Sequence, residues 1–247
     1  MSDANVVEIL NAGVLSLELS RRAKKNAITT EMYAGLASAF ERASDDPEIG
    51  AVLLHGQPDL FTSGNDLGNF LSPEARASGA GHRFLHAIAG CRAPIVAAVG
   101  GHAIGIGTTM LMHCDIVVAA TSARFQLPFV KLGLSPEAGS SMLLPLMAGP
   151  RLAAELLLLG DAFDANTAKE AGIVNTIVKE DQLLAHALAL AERLAVQPRD
   201  ALRTTKALLK RSLGRTALEA IEDEYPDFER LLASDEARAI FRSFLAR

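Results

Sequence analysis

Short apolar runs alternate with amphipathic stretches along the first two thirds of the chain. Val6 to Leu10 and Val14 to Leu19 flank Asn11-Ala-Gly13, a turn signal, and read as a hairpin. Thr30 can cap a helix whose apolar positions Met32, Leu36, Phe40 and Ala43 recur at helical spacing and which ends near Asp45-Asp-Pro47. Ala51 to Leu54 predicts a buried strand, followed by a Gln57-Pro-Asp59 turn. Residues 73 to 91 follow a helical period, Pro94 to Val99 reads as a second buried strand, and Thr108 to His113 as an apolar helix. Asp115 to Ala119 and Ala123 to Gln126 predict further strands. Beyond residue 136 the pattern is almost wholly helical, with Ile173 to Val178 the strand-like exception and Gly160 and Gly172 placed to end helices. The pattern predicts an α/β fold: a core of strand–helix turns over 1–194, then a helical C-terminal region over 195–247.

Composition adds bounds. A chain of 247 residues, 49% hydrophobic and 21% charged, can bury a full core. A formal charge of −5 gives no reason to expect nucleic acid, and Arg21-Arg-Ala-Lys-Lys25 taken alone reads as a solvated basic loop able to meet phosphate. Cys91 and Cys114 lie in apolar text without CxxC spacing, which predicts buried, reduced thiols. No run approaches the eighteen apolar residues of a membrane span, and neither end carries a targeting pattern, so the cytoplasm is the expectation.

The chemistry concentrates in Phe61-Thr-Ser-Gly-Asn-Asp-Leu67 and Gly101-His-Ala-Ile-Gly-Ile-Gly107. Each follows an apolar strand-like run and leads into a helix-like pattern, an arrangement that can point two free backbone N–H groups at one developing oxyanion. A dinucleotide loop fits poorly, because Met110 stands where the third glycine belongs and no Gly-Lys-Ser/Thr follows. No Gly-x-Ser-x-Gly elbow is present. His82 and His86 share a helix face, but their neighbouring sequence offers no third ligand, so no metal is expected and they read as surface or interface histidines. His102 and His113 read as structural. Ser135-Pro-Glu137 has two readings. It looks like an ordinary helix N-terminus, with Ser as cap and Glu complementing the dipole. Alternatively, Glu137 sits in an apolar pocket near Phe129, Leu134 and Met142, where burial would raise its pKa and make it a base.

Taken together these segments resemble the crotonase family, the enoyl-CoA hydratase/isomerase superfamily, over nearly the whole chain. The likeness takes in Lys24-Lys-Asn-Ala-Ile28, Phe61 to Leu67, Pro94 to Gly101, Cys114-Asp115, Gly149 to Gly160 and Ala168 to Val174. It implies a spiral of stacked ββα turns and a helical C-terminal region that supports trimers or hexamers, where Phe241 and Arg242 could reach a neighbouring subunit's ligand. The implied oxyanion donors are the N–H groups of Asn65 and Ile106. Lys24, Ala27, Ser63, Asp66 and Leu67 are the implied contacts to coenzyme A, which belongs to the acyl-CoA substrate and is not a separate cofactor. The two glutamates of the family's hydratases would fall at Thr109 and Phe129, neither of which can move a proton. Ser63 to Phe70 and Pro128 to Glu137 instead resemble the 3-enoyl to 2-enoyl-CoA isomerases, whose single catalytic glutamate falls at Glu137. The resemblance therefore implies an isomerase of lipid metabolism. Another crotonase-type reaction such as hydration, a non-catalytic acyl-CoA-binding protein and a dinucleotide enzyme are the alternatives.

Overall fold

The computed structural model describes residues 5–68, 72–211 and 216–245. Strands β1 (Val6–Asn11), β2 (Val14–Leu19), β3 (Ala51–His55), β4 (Ile95–Val99), β6 (Ile116–Ala120) and β9 (Thr176–Val178) form one sheet in the order β1-β2-β3-β4-β6-β9. Strands β5 (His102–Ile104), β7 (Arg124–Gln126) and β8 (Ala162–Asp164) form a second. The chain passes from β4 to β5 and from β6 to β7, so successive turns of the spiral contribute one strand to each sheet. This is the stacked ββα architecture anticipated above.

The strand alternation explains the layers. Strands β3 and β4 are buried at every position, as parallel strands covered on both faces must be. Val52, Leu54, Ile95, Ala97, Val99, Val117 and Ala119 face the main core with helices α1 (Thr30–Asp45) and α3 (Ala80–Gly90). Ala51, Leu53, Val96, Ala98, Val118 and Ala120 face the other way, onto Leu183, Ala187 and Ala191 of helix α7 (Leu183–Ala195), four residues apart on one stripe. Phe84 of α3 lies 5.2 Å from the ring of Tyr33 and 6.1 Å from that of Phe40. Such aromatic pairs add about 0.5–1.5 kcal/mol each beyond area burial, and here they fix Tyr33 where α1 meets α3.

Several local expectations are corrected. Thr29, not Thr30, caps α1, its hydroxyl accepting from Met32 N–H. Residues 73–91 form two helices, α2 (Pro73–Ala77) and α3, separated at Gly79 by a left-handed backbone (φ 64°). The apolar stretch after the glycine turn starts earlier, as α4 (Ile106–Thr109), and tightens into a 3₁₀ turn over Met110–His113. Strands β5 and β8 were not foreseen; three-residue strands carry too little periodicity to register. Helix α5 (Ser140–Leu159) reaches a mean hydropathy of 1.6, contrary to the expectation that no apolar run approaches membrane-span length. Gly149, at φ 76° and ψ 160°, breaks it in two before Pro150. Helix α6 (Ala165–Glu170), whose first turn is capped by the Asp164 carboxylate, then returns the chain toward β9.

The C-terminal region carries α8 (Arg199–Arg211), α9 (Ala217–Leu232) and α10 (Asp235–Leu245). Lys206 ties α8 to the core: its buried ammonium donates to Ala93 O at 2.7 Å and Asp115 Oδ2 at 2.6 Å. That same carboxylate oxygen accepts Ile95 N–H at 2.7 Å, at the start of a central strand.

Candidate active site

Thr62 pairs with Ala103 between successive turns of the spiral, Thr62 N–H donating to His102 O at 2.8 Å and Ile104 N–H to Thr62 O at 3.2 Å. Gly64, at φ +90°, brings its backbone so close to Ile104 that a Cβ there would lie 2.5 Å from the Ile104 carbonyl. Gly105, at φ 57° and ψ −120°, then turns the chain into α4. The glycines thus set Asn65 and Ile106 side by side, and among the described residues neither backbone N–H has an acceptor. Both residues line one cavity of about 130 Å³.

Glu137 lines the same cavity. It does not open a helix, so the capping reading of Ser135-Pro-Glu137 is corrected. Helix α5 begins at Ser140, after Ala138 and Gly139, both with left-handed backbones (φ 62° and 70°). A positive φ at alanine is strained and persists where the surroundings hold it. Three groups do so. His113 Nε2 lies 2.8 Å from Ala138 O, Ser140 Oγ donates to Glu137 O at 2.6 Å, and Glu224 accepts Gly139 N–H at 2.6 Å and Ser141 N–H at 2.8 Å. The carboxyl is thereby aimed inward: Glu137 Oε1 is buried with no hydrogen-bond partner among the described residues. Burial, reinforced by the charge of Glu224, pushes the Glu137 pKa from 4.5 up to about 8. Of the two opposed effects weighed from sequence, burial wins.

The pocket walls differ from those expected. Tyr33, Leu85, Ile106, Ile221, Tyr225 and Phe228 surround Glu137, whereas Met142 is not among the lining residues. Phe129 and Leu134 line a smaller neighbouring cavity of about 60 Å³, with Ser63, Leu67, Asn65 and Ile106. That places Ser63 and Leu67 beside the two backbone donors, and Phe241 of α10 reaches the same cavity within this chain. Thr109 is fully buried and Phe129 nearly so, and neither offers a carboxylate. Lys24 and Ala27 lie outside both linings; Lys24 is exposed and Ala27 partly buried. The neighbouring residues pair with the motif: Ile28 N–H donates to Gly64 O at 2.8 Å, Asp66 N–H to Ile28 O at 3.0 Å and Ser63 N–H to Lys25 O at 2.9 Å. Asp66 is engaged with Arg21 at 2.7 Å, and the same guanidinium donates to Ala27 O at 3.0 Å. Asn69 and Phe70, part of the isomerase-like string, lie outside the described residues.

Sequence reasoning missed Tyr33, Glu224 and Glu222. Tyr33 donates its hydroxyl to Asn65 Oδ1, steadying that residue, and burial beside Glu137 keeps the phenol well above its usual pKa. A hydroxyl adjoining the apolar stripe of α1 was the available signal. Glu224 stands far from Glu137 along the chain and gives none. Glu222 corrects the reading of His82 and His86 as lacking a third ligand nearby: α9 brings its carboxylate to both rings.

Stacked ββα turns presenting two unengaged backbone N–H groups to one cavity define the crotonase class of protein. The chain belongs to the enoyl-CoA hydratase/isomerase family, whose model matches residues 10–247. It is 31% identical over 233 residues to a probable enoyl-CoA hydratase of Mycobacterium leprae, covering 94% of this chain and 91% of that one. It is 32% identical to enoyl-CoA delta isomerase 2 of Rattus norvegicus, covering 95% of this chain and 62% of that protein. A solved enoyl-CoA hydratase/isomerase from Pseudoalteromonas atlantica superposes with a TM-score of 0.94 at 42% identity, covering 98% and 97% of the two chains. The activity is accordingly of the crotonase type, on acyl-CoA thioesters.

Proposed function

We propose that the protein is an enoyl-CoA isomerase that moves the double bond of a 3-enoyl-CoA to the 2-position. The observation that carries this reading is Glu137 Oε1, a buried and unpartnered carboxyl oxygen in the cavity of the Asn65 and Ile106 N–H groups. Those two donors hold the thioester oxygen as Glu137 removes a proton from C2. The electron pair spreads through a dienolate onto the oxygen and C4. The Glu137 carboxyl then delivers its proton to C4, the C2–C3 double bond remains, and the base is regenerated. One base suffices because no water is added.

The surroundings support isomerisation over hydration. The neighbouring carboxylate, Glu224, has each oxygen engaged by a backbone N–H, which makes it a poor second base. Thr109 and Phe129 carry no proton-transfer group. The similarity to enoyl-CoA delta isomerase 2 fits this reading. Lys24, Ala27, Ser63, Asp66 and Leu67 cradle the coenzyme A portion, no further cofactor takes part, and the working form is a cytoplasmic trimer or hexamer.

The test is a spectrophotometric assay with a 3-enoyl-CoA that follows the conjugated 2-enoyl thioester in wild type and Glu137→Gln. Product from wild type, with a loss of about 100- to 10,000-fold in the variant and retained ligand binding, supports the reading. Near-normal turnover in Glu137→Gln removes Glu137 as the base. Hydrated product from a 2-enoyl-CoA, with no double-bond shift from the 3-enoyl isomer, rejects isomerisation.

A further inference from the structure

We infer that His82, His86 and Glu222 form a divalent transition-metal site, of the kind zinc occupies, joining the two helices that wall the acyl cavity. His82 and His86, four residues apart on α3, present both rings on one face with centroids 4.5 Å apart. Glu222 arrives from α9, far later in the chain, with Oε1 2.6 Å from His86 Nε2 and 2.9 Å from His82 Nε2. One ligand atom from each of the three lies within 4.8 Å of the others.

Both imidazoles are directed at a single carboxylate oxygen: His86 Nε2 hydrogen-bonds Glu222 Oε1, and His82 Nε2, itself buried, forms an ion pair with the same oxygen. Two ring nitrogens from one helix and a carboxylate from another, converging on one point, are the donor arrangement that holds a divalent cation.

The donor set fits zinc. Two imidazole nitrogens and one carboxylate oxygen at about 2.0–2.2 Å from the ion leave a fourth, tetrahedral position for water. Tetrahedral ligand atoms at those bond lengths stand roughly 3.3 Å apart, so Glu222 Oε1 withdraws by under about 1 Å while the two ring nitrogens, within 4.8 Å of each other, adjust to the same spacing by side-chain rotation. Its side chain is half exposed and has room for that shift. The ring of Tyr225, one helical turn beyond Glu222, packs at 4.6 Å from that of His82 and holds its orientation.

The position gives the site a consequence. His82 and Leu85 of α3, and Ile221, Glu224 and Tyr225 of α9, line the cavity that contains Glu137. An ion bridging α3 to α9 therefore fixes the spacing of those walls. It also holds α9 where Glu224 grips the turn carrying the carboxyl.

The test is independent of turnover. Protein treated with a chelator and then dialysed is titrated with Zn²⁺ against a chromophoric competitor, and with Co²⁺ for the visible absorption of a four-coordinate ion. The expected result is one saturable equivalent in the wild type, with intense four-coordinate Co²⁺ bands and a rise in Tm on Zn²⁺ addition. His86→Gln and Glu222→Gln should each weaken binding at least tenfold and abolish the Tm response, while His102→Gln, at an exposed ring elsewhere, leaves both unchanged. Circular dichroism establishes that the variants are folded. Binding below one equivalent in the wild type, or binding equal in wild type and both cluster variants, overturns the inference. Failure of the isomerase assay would leave this result untouched, since metal occupancy is read directly.

Discussion

With its pKa raised to about 8, the proposed base Glu137 makes the pH dependence of turnover the most discriminating test of the site. At pH 7 roughly one tenth of free enzyme would carry an ionised Glu137, by the ordinary titration relation. The value of kcat/KM should therefore climb with unit slope between pH 6 and 7.5 and level off above about pH 9, gaining roughly tenfold from pH 7 to the plateau. Glu224→Gln supplies the decisive perturbation. Removing its charge takes away the smaller of the two causes that hold Glu137 up, so the midpoint should fall below about 8 but remain above the 4.5 of an unperturbed glutamate. The substituted amide retains one acceptor for the Gly139 and Ser141 N–H groups and loses the other. The Gly139 N–H is part-buried and the Ser141 N–H exposed, so the lost acceptor costs less than the roughly 1–3 kcal/mol of a fully buried group, and stability and the plateau rate should fall modestly. A variant that loosens the turn but keeps the charge separates the two effects, since a midpoint shift shared with it belongs to burial and a shift seen only in Glu224→Gln belongs to the charge. Glu224→Asp, which keeps the charge, serves as the comparison. The assay is initial-rate isomerisation of a 3-enoyl-CoA across pH 5 to 9.5 at constant ionic strength. A wild-type profile flat above pH 6, or coincident midpoints for wild type and Glu224→Gln, would refute the electrostatic reasoning.

Three further outcomes follow from the same geometry. Because the Glu137 pKa is raised on folding, the unfolded chain ionises first, and the stability this group contributes below pH 4.5 is lost as pH rises through about 8. Glu137→Gln should thus become progressively more stable than wild type across that window by urea unfolding, and a constant difference would contradict the assigned pKa. His113 has the opposite sign: burial lowers its pKa to about 4, so the stability this group contributes is lost as pH falls from 6.5 toward 4. His113→Phe should cost about 1–3 kcal/mol at neutral pH by freeing the Ala138 carbonyl, and its deficit against wild type should shrink as pH falls from 6.5 toward 4; no deficit, or one constant with pH, would contradict it. Gly64→Ala sets a Cβ 2.5 Å from the Ile104 carbonyl at a φ of +90°, so the Asn65 donor should be displaced and kcat fall roughly 100- to 1,000-fold. A folded variant with normal kcat would show that the donor geometry does not matter.

The sequence by itself determined the elements whose periodicity spans many side chains. The buried runs of β3 and β4, the stripe of α1 and the amphipathic helices of the C-terminal region were all legible, because each buries a face through residues at regular spacing. The two glycine-containing motifs beside the cavity were legible for a different reason: Gly64 and Gly105 answer local backbone requirements that few other residues meet. Glu137 was legible as a candidate, but its state was not. Whether a carboxyl caps a helix or lies buried depends on walls drawn from α1, α3 and α9, and on a turn pinned by His113, Ser140 and Glu224. Those groups are far apart in the chain, and no local pattern encodes their meeting. The same holds for Glu222 beside His82 and His86. Only the tertiary structure decided these points, because desolvation and Coulomb interaction depend on distance in space, which the spiral sets by stacking turns from remote segments.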